Sequence, residues 1–215
     1  MRGDPSPEFL LRCNRIRDDP VQREMSDREM VARVLAGDRA AFRDLVQAHQ
    51  RLVSHVVFRI VRDPRDREEV CQDVFVRVYQ KLDQFAHESA LGTWIARIAY
   101  RLSLNHLQRR RIPLYDDLRP DETGGWAVDQ LPGTGGSPLD AAEGAELRAF
   151  VRARVDELPL QYRTVVTLYH LEEMSVGEIA AVMDLPEGTV KSHLFRARRM
   201  LKDKLVARYG AEGTG

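Results

Sequence analysis

The side chains of this 215-residue chain with the most suggestive spacing are cations near its C-terminal end. Between Glu187 and Tyr209, Lys191, Arg196, Arg198, Arg199, Lys202, Lys204 and Arg208 stand against only Glu187 and Asp203. Glu187, Gly188, Thr189, Lys191 and Ser192 would fill the first turn and a half of a helix, and Gly188 and Thr189 are small enough to permit close approach. Lys191, Ser192 and Arg196 then share a face opposite Val190 and Leu194. A helix that reads DNA offers a short first turn to base edges and sets cations beside phosphates. Glu187, Lys191 and Ser192 are therefore assigned to base or near-base contacts, and Arg196 and Arg199 to phosphates. The alternative is an ordinary solvated helix face.

A second run carries Arg97, Arg101, Arg109, Arg110 and Arg111 and no acid over residues 97–112. Arg97, Arg101, Leu104, Asn105 and Gln108 follow at helical steps, so the polar members can approach a nucleic acid from one side. The segment before it contains Phe85, Ala86, His87, Glu88 and Ser89. Such a loop either forms a pocket for an unstacked base, with stacking worth about 1–3 kcal/mol, or is a plain connector with Phe85 and Trp94 in the core. Residues 66–73 have the opposite sign: Asp66, Glu68, Glu69 and Asp73 are mixed with Arg65, Arg67 and Gln72. Acids are expected near a helix N-terminus from the macrodipole alone, and a mixed acidic and amide face also suits a protein partner.

Other chemistries find no support. His49, His55, His87, His106, His170 and His193 show no metal-ligand spacing, and no Ser/His or Cys/His constellation stands out. Two cysteines, Cys13 and Cys71, make neither a disulfide framework nor a zinc site by themselves, and Cys71 between Val70 and Val74 reads as core. No catalytic residue, metal or cofactor is expected. No apolar run approaches the roughly 18 residues of a membrane span, and the N-terminus lacks an apolar signal core, so a cytoplasmic location without membrane insertion is expected.

The elements that must position these residues are helices. The 33 Lys+Arg balance 33 Asp+Glu and aromatics are only 7%, which favours a helix-rich chain. The neutral total hides blocks, because residues 113–143 hold seven acids against Arg119, with five Gly and four Pro. That composition reads as an acidic linker. Residues 26–112 predict a four-helix module. Its signals are a capping-box pattern at Ser26–Glu29, a stop at Gly37–Asp38, and apolar stripes that include Val70, Val74, Phe75, Val78 and Leu82. Residues 144–209 predict a second module: a helix ended by Pro159, another over Tyr162–Tyr169, and a second capping box at Ser175–Glu178. Asp184, Leu185 and Pro186 then form a tight turn into the basic helix. Two helices joined that way are a helix-turn-helix. Asp184 stands at a turn position usually given to Gly, and tolerates left-handed backbone better than most residues. Residues 1–25 read as an extension, disordered or vector-derived, and residues 210–215 as a tail. The fold class is all-α, two small helical domains on a flexible acidic tether.

Read in order, the stretches DREEVCQDVF (66–75), TWIARIA (93–99), LPLQYR (158–163), SVGEIA (175–180) and LPEGTVKS (185–192) resemble a bacterial RNA polymerase sigma factor of the extracytoplasmic-function (ECF) class. The resemblance covers nearly all of residues 26–209. It implies that Glu69, Gln72, Asp73 and Phe75 grip the clamp helices of the polymerase largest subunit. It implies that residues 83–94, with Phe85, His87 and Ser89, melt DNA and hold a flipped −10 base. Arg97, Arg101, Asn105, Gln108, Arg109 and Arg110 would read the −10 element and bind its backbone, while the helix-turn-helix reads the −35 element. It further implies core polymerase, promoter DNA and an anti-sigma factor as partners. Arg101 departs from the family, many of whose members carry Asn there, so a −10 preference cannot be copied across. The rival readings are a stand-alone helix-turn-helix regulator with an N-terminal sensor or dimerisation domain, which leaves the arginine run at 97–111 idle, and a metal-dependent nuclease, whose acids would have to converge.

Overall fold

The computed structural model describes residues 26–110 and 150–209. The N-terminal extension, the acidic linker with Trp126, and the C-terminal tail lie outside the described residues, where nothing bears on those expectations.

The N-terminal module begins at α1, Asp27–Leu35, whose N-cap Ser26 accepts a hydrogen bond from the Glu29 amide at 3.3 Å. Gly37 ends it with φ +89°, a conformation that favours glycine. Asp38 then caps α2, Arg39–Ile60, accepting from the amides of Ala40 and Ala41, and also takes a two-nitrogen grip from Arg33 at 2.7 and 3.0 Å. The Arg33 guanidinium and these two amides hold the Asp38 carboxyl below its usual range. Asp63 caps α3, Pro64–Lys81, and Pro64 sits in its first turn, where a missing N–H costs nothing. A short 3-10 turn, Leu82–Gln84, leads to a loop and then to α4, Leu91–Arg110. The first amide of α4, on Leu91, donates to the Asp27 carboxylate of α1 at 2.9 Å, so the start of α1 anchors the start of α4.

The C-terminal module has a helix over residues 150–156 (α5), then α6, Leu160–His170, α7, Val176–Met183, and α8, Glu187–Tyr209. The capping box at α7 is complete: the Ser175 hydroxyl accepts from the Glu178 amide, and the Glu178 carboxylate accepts from the Ser175 amide. Asp184 follows with φ 58° and ψ 48°, the left-handed turn expected of it. All regular structure among the described residues is helical.

The two modules, read from the sequence as small helical domains on an acidic tether, also pack against one another. α2 packs on α6 and α4 on α7. A single cluster of buried apolar residues runs from Val31 and Phe42 through Val74 and Ile95 to Leu168, Ile179 and Leu194. Each fully buried Val, Leu or Ile in such a cluster contributes about 1.5–3 kcal/mol relative to exposure, so the two modules share one source of stability. A smaller cluster of Val155, Leu158, Val166 and Ala197 joins α5, α6 and α8. The apolar stripes were legible in the sequence, but the contact between their outer edges was not.

Candidate nucleic-acid interface

On α8 the apolar stripe faces inward: Val190 and Ala197 are inaccessible and Leu194 is buried. This fixes Lys191, Ser192, Arg196 and Arg199 on the outside, where with Phe195 they line a shallow groove. Gly188 is exposed, with open space where a side chain would be. Glu187 lies 3.8 Å from Lys191, and the Ser192 hydroxyl donates to the Gly188 carbonyl at 2.9 Å. Thr189 is half-buried. Arg198 leaves this face to lie over the Tyr169 ring, which separates it from Arg196 and Arg199. Phe195 was not singled out from the sequence, yet it is 68% exposed at the centre of the cationic face. Its position outside the Val190–Leu194–Ala197 stripe was the signal that could have found it. His193, on the half-buried edge, has its pKa lowered by burial and then by Arg196.

On α4, Arg101, Asn105, Gln108 and Arg109 are exposed and Arg97 is half-buried; the side chain of Arg110 lies outside the described residues. The loop before α4 carries His87 at φ 57°. His87 and Ser89 are exposed, but Phe85 is only 7% exposed. The Phe85 ring lies 4.5 Å from His87 and 5.4 Å from half-buried Trp94, centroid to centroid. Of the two readings left open for this loop, the structure gives Phe85 the core one: it is the floor under His87, not an open stacking surface.

The acidic start of α3 divides in two. Glu68, Glu69 and Asp73 are exposed and Gln72 half-buried, forming a surface strip. Asp66 is buried against α4, with its carboxylate 3.0 Å from the His106 imidazole. Phe75, expected on the strip, is 6% exposed and lies on the core face with Val70, Val74 and Val78. The sequence had offered Phe75 both roles, and the apolar stripe wins because its position in the helix turns it inward. Cys71 is half-buried, and burial pushes its thiol up to about 12, which disfavours the reactive thiolate at neutral pH. No group of three or more His, Cys, Asp or Glu suited to a metal occurs among the described residues.

Two family models match in chain order: Sigma-70 region 2 over residues 45–112 and Sigma-70, region 4 over residues 151–201. The first covers most of α2, then α3, the loop and α4, and the second runs from α5 through α6 and α7 into α8, taking in the helix-turn-helix. The chain is 36% identical over 191 residues to the ECF RNA polymerase sigma-E factor of Escherichia coli (strain K12), covering 86% of this chain and 97% of that one. It is 30% identical over 183 residues to the ECF RNA polymerase sigma factor SigW of Bacillus subtilis (strain 168), covering 85% and 98%. This chain belongs to the ECF class of sigma-70 factors. It is similar in fold to CnrH in the solved complex with the cytosolic domain of CnrY, with a TM-score of 0.60, 23% identity, and 85% and 99% of the two chains covered.

As a sigma factor, the protein binds core RNA polymerase and directs promoter-specific initiation. The modules that match sigma-70 regions 2 and 4 meet across a polar seam as well as an apolar one. The Thr93 hydroxyl of α4 donates to the Glu178 carboxylate at 3.0 Å. Arg51 donates to the Leu171 carbonyl at 3.2 Å, and Arg59 donates to the Thr167 hydroxyl at 3.1 Å and pairs with Asp156. His55 pairs with Glu172. Arg163 is buried beside this seam, and burial, with Arg62, Arg59 and Arg67 nearby, lowers its pKa to about 10.

Proposed function

We propose that this sigma factor reads its promoter with two separate faces and does no covalent chemistry of its own. The groove on α8 reads the −35 element: Glu187, Lys191 and Ser192 at or near base edges, Arg196 and Arg199 on phosphates. Phe195 suits apolar contact with a thymine methyl in the major groove. On the other module, His87 and Ser89 contact the melted −10 strand above a floor of Phe85. Arg97, Arg101, Asn105, Gln108, Arg109 and Arg110 follow that strand along α4. The exposed strip of Glu69, Gln72 and Asp73 grips the clamp helices of the polymerase largest subunit, and Phe75 braces it from beneath. The single observation that carries the reading is the α8 groove, a cationic face held outward by a fully buried stripe.

The energetics are those of binding. Opening DNA costs about 1.4 kcal/mol per base-pair step on average. Stacked or pocketed bases at about 1–3 kcal/mol each, with released counterions, offset several steps. Once one face is bound, the other engages at high effective concentration. The protein works in the cytoplasm, where polymerase is; no helix among the described residues is long and apolar enough to cross a membrane. An anti-sigma factor is the expected inhibitory partner, a reading supported by the likeness in fold (TM-score 0.56, 17% identity) to the sigma factor RpoE of Bartonella quintana, whose structure is a complex with the anti-sigma factor NepR. Run-off transcription with purified core polymerase on a promoter library tests the reading. Selective initiation from a family of related −35 and −10 sequences supports it, and absence of any sigma-dependent product contradicts it.

A further inference from the structure

The turn of the helix-turn-helix sits on the −10 face of the other module. The Asp184 carboxylate lies 3.8 Å from an Arg97 nitrogen and 3.7 Å from an Arg101 nitrogen, one oxygen toward each. The Arg97 Nε is buried with no hydrogen-bond partner among the described residues. Nothing local demands a carboxylate at Asp184. Its φ of 58° is met as well by Gly or Asn. An anion at the C-terminal end of α7 also opposes the helix macrodipole. What the position does offer is an oxygen anion set before two guanidinium groups, the arrangement in which a DNA phosphate would otherwise sit.

We propose that Asp184 is an intramolecular stand-in for a promoter phosphate, which clasps Arg97 and Arg101 in the free protein and keeps the −10 face from DNA until polymerase separates the modules. The proposal rests on the reading of α4 as a DNA-binding helix. The surrounding seam aligns the clasp: Thr93, one turn before Arg97, is bonded to Glu178, one and a half turns before Asp184. Asp184 is 76% exposed, so water and competing phosphates reach it. The clasp is therefore weak enough to be displaced. Two exposed ion pairs at the usual strength hold back binding by about three- to tenfold. The α8 groove lies outside the seam and stays open, so the device silences one reader and spares the other.

The test uses the full chain without polymerase and a mixed-sequence 12-nucleotide single strand, at low and at high salt. Asp184→Asn keeps the left-handed turn and removes the charge, and Asp184→Gly repeats the test with a second residue suited to that backbone. Thermal melting of each variant checks that the fold is kept. Both should bind the strand about three- to tenfold more tightly than the parent at low salt. The gain should vanish in an Arg97→Ala/Arg101→Ala background, and amide exchange in residues 93–104 should quicken. At saturating core polymerase, run-off transcription by Asp184→Asn should equal the parent's, because the clasp is already open there. Unchanged affinity in both Asp184 variants, while Arg97→Ala/Arg101→Ala weakens promoter opening by the holoenzyme, overturns the clasp and leaves α4 as the DNA face. If the double arginine variant affects neither strand binding nor promoter opening, the DNA reading of α4 falls, and the clasp with it.

Discussion

The two basic helices carry the same chemistry and present it in opposite ways. On α8, Lys191, Ser192, Phe195, Arg196 and Arg199 face open solvent. On α4, Arg97 and Arg101 face the Asp184 carboxylate of the other module, and Arg97 is half-buried. The difference does not come from charge, since both runs are cationic. It comes from which side of each helix the shared core claims. α8 buries Val190, Leu194 and Ala197 within its own module and turns its cations outward. α4 buries Leu91, Ile95 and Ala99 and packs against α7 along the side where its cations begin. A cationic stretch is thus a potential reader, and tertiary packing decides whether it is available.

Loosening the core that holds both helices should have the largest effect on this contrast. Leu168 on α6 is inaccessible and belongs to the cluster shared by the modules. Leu168→Ala should cost about 2–5 kcal/mol, seen as a lower midpoint in denaturant unfolding, and it should expose both helices together. Next comes removal of cations from one helix at a time. Arg196→Ala/Arg199→Ala should weaken duplex binding by the free chain and flatten its salt dependence, the slope of log K against log salt falling by about 1.8. Arg97→Ala/Arg101→Ala should change duplex binding by the free chain far less, yet impair promoter opening by the holoenzyme. Equal losses from the two double variants in the free chain would erase the contrast.

A smaller effect is expected at Glu178, which caps α7 and receives Thr93 from α4. The Ser175 amide, then the Ser175 hydroxyl and Thr93, hold its carboxyl below the usual glutamate range despite partial burial. A carboxyl depressed in the folded state adds stability above its unfolded value and loses it as pH falls through the folded one. Glu178→Gln, which keeps the capping hydrogen bonds and loses the charge, should therefore cost about 0.3–1 kcal/mol near neutrality, with the gap from the parent closing as the medium becomes more acidic than the ordinary glutamate range. Thermal melting across acidic and neutral pH reads this directly. The smallest effect is at Cys71: with its thiol pushed up to about 12 by burial, alkylation should be slow in the native protein at neutral pH and quicken in denaturant.

How far the sequence reached follows from the range of each signal. Ser26 and Ser175 act on amides three residues away, so the two helix starts they set could be read from local spacing, whereas Asp38 and Asp63, read only as ends of the preceding helices, also cap the next ones. The outward face of α8 was legible because Val190, Leu194 and Ala197 repeat at helical spacing. Phe75 was harder, since an aromatic on a mixed helix suits either a partner or the core, and only the packing of α3 decides. Phe85 posed the same choice inside a loop, where there is no period to consult. The seam between modules was not legible at all. Thr93 meets Glu178 85 residues away, His55 meets Glu172 117 away, and Arg59 meets Asp156 97 away. Nothing in local spacing encodes such pairs.

On the proposed reading, the two faces act together only when polymerase sets them at a fixed distance. Run-off transcription with core polymerase on templates that lengthen or shorten the interval between the two promoter elements one base pair at a time tests it most directly. A sharp optimum is expected, with output falling steeply for changes of two or three base pairs on either side. Output indifferent to that interval, or undiminished when the −10 sequence is scrambled, would contradict it.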